Sequence, residues 1–370
     1  MDNEKKLKQL KTTRRLLLIT LLLFVAVFIL MNTEYISLDN TGRMIYDVRS
    51  ALKGKNVSAT FSDISESPGK EAAVFKDGFV TASESIITVY SSGMYKYSEN
   101  SVSMKNPVLR TTSKKVLAFD RGGKQAYVLD SFGILYSFQC AENIINAGIS
   151  ENGNIFIITE SYGYKGRLTV YDNSYSEIFN WDCKDEYVVD AIIGKGFVWA
   201  VSFSQNVTTT DTVLRKINYS EATIQQKIVV EDAVYASIAA KKNGELSLIT
   251  DNAVTSVKDS EQKQIYSFVS GSLSYFAQSD EYTLLTANNK TVLLDIAGNT
   301  LFTKEYKDIK GLYINGNSFY IFHENLLTVL SSTGEVENEY PVSDATIEIL
   351  VSDGICYTIG ADFAEKIFLK

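Results

Sequence analysis

A unit of four short β-rich runs separated by turns recurs along nearly the whole chain, and that repeat limits what the chain can become more than any other feature. Its clearest copy covers residues 145–187, where AGIS, IFIITES, RLTVYD and EIFNW follow one another. Asn152-Gly153 separates the first two runs, and Asn-Gly between β-rich segments marks a tight hairpin because both central residues must accept positive φ. The first strand of each unit falls around Val74, Leu109, Gly148, Ile192, Ile238, Phe276, Tyr313 and Ile349, at spacings of 35, 39, 44, 46, 38, 37 and 36 residues. A Gly-bearing turn follows that strand at Asp77-Gly78, Asn152-Gly153, Gly194-Lys195-Gly196, Asn243-Gly244, Asn315-Gly316 and Asp353-Gly354. From Val57 onward no stretch keeps a helical period.

A period near forty residues with four strands per unit predicts an all-β β-propeller, in which each unit is one blade. The last unit supplies only three strands, IEILVSD, ICYTIG and KIFLK, while Val57–Ser62 (VSATFS) is left over at the other end. An open ring would expose two sheet edges, so Val57–Ser62 is expected as the outer strand of the eighth blade. Eight blades is the expectation. Seven is the alternative, because the 46-residue fourth unit and the junction around Lys114 are irregular. Strand alternation then puts the first-to-second and third-to-fourth turns on one face. The second-to-third loops and the inter-blade connections share the other face, which is expected to point away from the membrane.

A membrane enters through the first residues. Residues 1–15 form a basic tail with Lys5, Lys6, Lys8, Lys11, Arg14 and Arg15, and Leu16–Met31 is unbroken apolar sequence. Extended through Ile36, residues 16–36 reach the length of a transmembrane helix, with Tyr35 at an interface. No small residues mark a cleavage site in FILMNTEY, so the segment reads as an uncleaved signal-anchor. Basic residues before the span and none just after it place the N-terminus in the cytoplasm and residues 57–370 outside the cell membrane, as an extracytoplasmic domain. Residues 37–56 form a stalk in which Met44, Ile45, Val48 and Leu52 share one face of a short amphipathic helix that Gly54 would stop.

Beyond residue 34 the chain carries 30 basic and 41 acidic groups, a net of −11. So acidic a body repels phosphate backbones, and nucleic acid is not expected as a partner. Three scattered cysteines and one histidine cannot assemble a common zinc site, and no GxGxxG, Walker or GxSxG pattern is present. No catalytic residue, metal or cofactor is expected. His323 is placed at the end of the second strand of the seventh unit with a structural role, and Trp199 and Cys356 in the core. Cys140 and Cys183 hold equivalent places in consecutive units, which argues against a bridge because such positions usually lie too far apart. Asp182, Asp185 and Glu186 read as a solvated acidic rim.

The informative irregularity is loop length. Most second-to-third loops are tight, but Glu160–Gly166 (ESYGYKG) and Phe203–Asp211 (FSQNVTTTD), in adjacent units, are long. Both fall on the face of the Trp181–Tyr187 connection. Tyr162, Tyr164, Trp181, Tyr187 and Phe203 are therefore candidates for an aromatic binding patch, with Lys165, Asp185 and Asp211 around it.

The repeats resemble the quinoprotein-like and tryptophan–aspartate-repeat propellers over residues 57–370. Trp181-Asp182 is the one tryptophan–aspartate pair, after the fourth strand and not the third, and no Gly-His pair accompanies it. The layout of basic tail, apolar span and acidic propeller is similar to an uncharacterised domain-of-unknown-function family of single-pass envelope proteins from Firmicutes, which implies location and carries over no functional residue. The expected function is a non-enzymatic binding or assembly scaffold for a protein or cell-envelope polymer. The alternatives are a polysaccharide hydrolase or lyase working through carboxylates near the central channel, and a purely structural spacer.

Overall fold

The computed structural model describes residues 13–24, 27, 41–43, 45–46, 48–49, 61–63, 71–259, 261–352 and 354–369. The chain divides into two compact units, residues 1–57 and 58–370. In the second unit the strands of each sheet pair antiparallel, and all but the first described strand do so with a sequence neighbour. Among the described residues, 32 strands form eight four-stranded sheets. Seven are continuous in sequence, covering 71–101, 107–139, 144–183, 187–230, 235–267, 275–304 and 309–341. The eighth runs Glu348–Ser352, Ile355–Ile359, Phe363–Phe368 and then Phe61–Asp63, so its outermost strand comes from the opposite end of the chain.

The second unit is thus an eight-bladed β-propeller closed by a strand that precedes the first blade. Each of the eight residues that the repeat period places in a first strand lies in an innermost strand. The seven-bladed alternative fails for two local reasons. The 46-residue fourth unit is a single sheet with unusually long strands, and Lys114 lies in the first turn of the second blade. The closing strand, expected at Val57–Ser62, is observed at Phe61–Asp63, where Ser62 faces Ala364; residues 57–60 lie outside the described residues.

Middle strands lie between two neighbouring blades and so need apolar groups on both faces. Gly78–Ala82, Val116–Asp120 and Thr283–Ala287 are buried at every position, whereas the outer strand Lys96–Ser101 is largely exposed. The core clusters accordingly straddle blade boundaries. Leu117 and Val128 of the second blade pack with Ile144, Ala147 and Ile155 of the third. At the closing seam Phe79 stacks on Tyr90 at 4.7 Å and meets Tyr357 of the eighth blade at 4.9 Å. The Tyr357 hydroxyl donates to the Asp77 carbonyl at 2.9 Å, and Lys366 Nζ donates to the Ser92 carbonyl at 2.6 Å. The ring is therefore locked by side chains as well as by the added strand.

The first turn differs from expectation by one residue. The turn expected at Asp77-Gly78 has its positive φ at Lys76 (55°), and Gly78 already belongs to the second strand. Gly153 and Gly244 do carry positive φ, at 86° and 83°. The three cysteines are unbridged, with Cys183 and Cys356 buried.

In the first unit residues 13–24 are helical, as are 41–43, 45–46 and 48–49. No helix among the described residues is long and apolar enough to cross a membrane. Of the span expected at 16–36, residues 25–26 and 28–36 lie outside the described residues, as do Met44, Leu52 and Gly54 of the stalk helix.

Candidate functional site

The third and fourth blades carry the two tallest hairpins of the ring. Glu160–Gly166, expected as a loop, is mostly strand: Ile155–Ser161 pairs with Tyr164–Tyr171, and only Tyr162-Gly163 turns, with Gly163 at φ 81°. Phe203–Asp211 is corrected in the same way. Phe197–Gln205 and Thr210–Asn218 pair in unbroken register as far as Gln205 opposite Thr210, leaving residues 206–209 as the loop. These nine-residue strands exceed the five-residue second strand of the fifth blade by four residues, a rise of about 13 Å. Ser, Thr and Asn gave the segment the composition of a loop. Its strand character comes from cross-strand pairing, Phe203 to Thr212 through Gln205 to Thr210.

The Trp181–Tyr187 connection is also shorter than expected. Trp181, Asp182 and Cys183 end the outer strand of the third blade, Tyr187 begins the innermost strand of the fourth, and residues 184–186 connect them. Tyr162, at the hairpin tip, is 99% exposed; Tyr164 and Tyr187 are about half exposed. Lys165 Nζ lies 4.3 Å from the centre of the Tyr187 ring, a cation–π contact that joins the two blades. Phe203 pairs with Tyr187 across the strands. Tyr162, Tyr164, Lys165, Tyr187 and Phe203 thus occupy one stretch of this face, and exposed Asp185 sits in the connection between them.

Two expected members sit elsewhere. Trp181 packs half-buried against the core between the third and fourth blades, with the Arg215 guanidinium 5.9 Å from its ring. Asp211 is buried and accepts hydrogen bonds from Asn206 Nδ2 at 2.6 Å and the Asp232 amide at 3.0 Å, tying the hairpin loop to the next inter-blade connection. Neither belongs to an exposed patch. Val207, 103% exposed at the tip of the second hairpin, was missed because its neighbours are polar.

The acidic rim is likewise not uniformly solvated. Asp182 receives a two-pronged bond from Arg167, Nε to Oδ1 and Nη2 to Oδ2, each at 2.8 Å, and this holds its carboxyl below the usual range. Glu186 is 3% exposed and forms a two-pronged ion pair with Arg215. Ser202 donates to Glu186 at 2.7 Å, and Lys227 Nζ stands 3.5 Å from it. Glu186 and Arg215 are 29 positions apart, and no local sequence signal links them. Together they fix the base of the taller hairpin to the connection that carries Asp185.

Elsewhere His323 ends the second strand of the seventh blade, as the sequence predicts. Its Nε2 bonds the Thr328 hydroxyl at 2.8 Å, the Tyr306 ring lies tilted beside it at 4.8 Å, and burial lowers its pKa. Trp199 is buried in the core between the fourth and fifth blades. On the innermost strands flanking the seam, burial and then the nearby Glu71 push the Glu348 carboxyl up to about 7. That group is half protonated near neutrality, whereas Asp182 stays ionised.

The fold and this face define a β-propeller scaffold with two projecting, aromatic-bearing hairpins. The chain belongs to a family of unknown function, DUF5711, whose profile matches residues 49–369. Its fold is similar to that of BamB from Moraxella catarrhalis, with a TM-score of 0.56 at 11% identity over 84% of this chain and 98% of that one. It is also similar to the C-terminal WD40 domain of Sif2, with a TM-score of 0.61 at 8% identity and the same coverages. Kluyveromyces lactis Hsv2 aligns over 75% of this chain and 99% of its own, at 7% identity and a TM-score of 0.51. At these identities the likeness is one of fold. No curated protein matches the chain by sequence.

Proposed function

We propose that this protein is a membrane-tethered, extracytoplasmic propeller that holds a protein partner on the face built by the two extended hairpins, without catalysing a reaction. Residues 16–36 would anchor it, with the basic residues of the first fifteen positions on the cytoplasmic side. The observation that carries the reading is the exposure of Tyr162 and Val207 at the tips of the two hairpins, with Tyr164 and Tyr187 half exposed below them. Apolar side chains lifted clear of a ring rim gain nothing for the fold. Tyrosine in such a place is suited to contact, since it buries a large area with few rotamers to lose. The strands hold the tyrosines on a rigid frame, and the Glu186–Arg215 pair fixes its base.

Substituting Tyr162, Tyr164 and Tyr187 together with alanine is expected to weaken partner capture by more than tenfold, since central tyrosines commonly contribute about 2 kcal/mol each. Thermal unfolding should shift only slightly, because Tyr162 is fully exposed, Tyr164 and Tyr187 are half exposed, and the lost Lys165–Tyr187 contact is worth about 0.5–1 kcal/mol at the surface. Capture by the triple variant equal to that of the natural chain would remove this face from the function. Retained capture of a cell-envelope polymer, with protein partners lost, would limit the face to proteins.

A further inference from the structure

A cavity of about 270 Å³ opens where the innermost strands of the second, third and fourth blades converge, and it differs in kind from the hairpin face. Thr111 and Ile193 in its wall stand at the strand ends next to the first-to-second turns, on the opposite side of the ring from Tyr162. Ile149, Phe156 and Ile193 make much of the wall apolar. Gly148 leaves room for the Phe156 ring, since a Cβ there would stand 2.3 Å from it.

Two charged groups enter this apolar space, and they are held differently. Asp190 is already satisfied: its carboxylate accepts the Ala191 amide at 2.8 Å, Asn146 Nδ2 at 3.0 Å, and the Tyr235 hydroxyl. Burial raises its pKa. Arg110 lines the cavity and is an exposed residue, and one of its nitrogens, Nη1, donates to the neighbouring Leu109 carbonyl at 3.0 Å. Among the described residues no carboxylate forms an ion pair with Arg110. A guanidinium has five N–H donors in a planar fork that matches a carboxylate in two parallel bonds. An apolar pocket with one directed polar group is the usual form of a small-molecule site.

We propose that this cavity binds a small monocarboxylate with an apolar body, its carboxylate paired with Arg110 and its body against Ile149, Phe156 and Ile193. The volume suits a body the size of a phenyl or branched alkyl group. Asp190, fixed by Asn146 and Tyr235, lines the same cavity, and neither it nor Glu71, whose charges Arg110 feels, stands within ion-pair distance of the guanidinium. The site requires nothing of the hairpin face, so the two readings stand or fall separately.

Titration of the full chain with benzoate and with its neutral isostere benzamide, followed by calorimetry or ligand-observed NMR, tests this. Benzoate is expected to bind with a Kd of about 1 mM, as befits a ligand of its size, and benzamide at least about tenfold more weakly. Arg110→Met should weaken benzoate by at least about tenfold without shifting Tm, since the side chain is exposed and packs no core. Equal binding of benzoate and benzamide would overturn the proposal. So would undiminished benzoate binding by the Arg110→Met variant, or no benzoate binding up to about 20 mM.

Discussion

Gly78→Ala is expected to lower the stability of the propeller by about 3 kcal/mol or more, as a backbone clash in a packed core should. A Cβ at this position would lie 2.1 Å from the Tyr90 carbonyl oxygen and 2.7 Å from the Ser91 carbonyl carbon. Both are backbone atoms of the strand alongside, so no side-chain rotation relieves the contact. The second and third strands of the first blade would have to separate, which disturbs the pairing of Phe79 with Tyr90 and the stack of their rings. Phe79 also packs on Tyr357 across the seam, so the strain reaches the closure of the ring. Gly153→Ala is the control. Its positive φ carries a backbone cost, but its nearest contact is the Asn173 Cβ at 3.2 Å, so a loss of about 1 kcal/mol is expected. Urea unfolding of the two variants checks the ranking, and a Gly78→Ala cost below that of Gly153→Ala would contradict it.

Arg215→Met is expected to cost roughly 3–5 kcal/mol, because it leaves the Glu186 carboxylate buried without its main partner. The side chains of Arg215 and Glu186 are 9% and 4% exposed, so water cannot replace the lost contact. Lys227, half exposed at 3.5 Å, recovers only part of it. The double variant Glu186→Gln, Arg215→Met should regain most of the stability, since an amide beside Ser202 is far cheaper to bury than a lone charge. A double variant no more stable than Arg215→Met would show that packing, not charge, governs the site. The pair joins the base of the taller hairpin to residues 184–186, just before Tyr187, so its loss should loosen the binding face as well as the fold.

The architecture was legible because it is local and repeated. Turn chemistry of the kind seen at Asn152-Gly153 and Asn243-Gly244 recurs at the same place in six of the eight units, and the spacing of the repeat supplies the other two innermost strands. Even the closure could be read, since a last unit one strand short needs a strand from elsewhere. What composition hid were features whose cause is not local. Gly78 reads as a turn glycine but is required by the approach of Tyr90, twelve residues on. FSQNVTTTD reads as loop because its polar residues show no apolar alternation, and only the register of the two strands makes it a hairpin. Trp181 and Asp211 look like surface groups among polar neighbours, yet one is drawn into the inter-blade core and the other bonded inward. Glu186 and Arg215 meet only when the strands of the fourth blade are side by side.

Site-specific photo-crosslinking in the source cells would locate the partner on the extended hairpins or off them. A benzophenone side chain would replace Tyr162, Val207 or, on the opposite turn face, the exposed Glu221. One discrete protein adduct is expected from positions 162 and 207 and none from 221. An adduct from 221 with none from 162 or 207 would place the partner on the wrong side of the ring and contradict a partner seated on the hairpins.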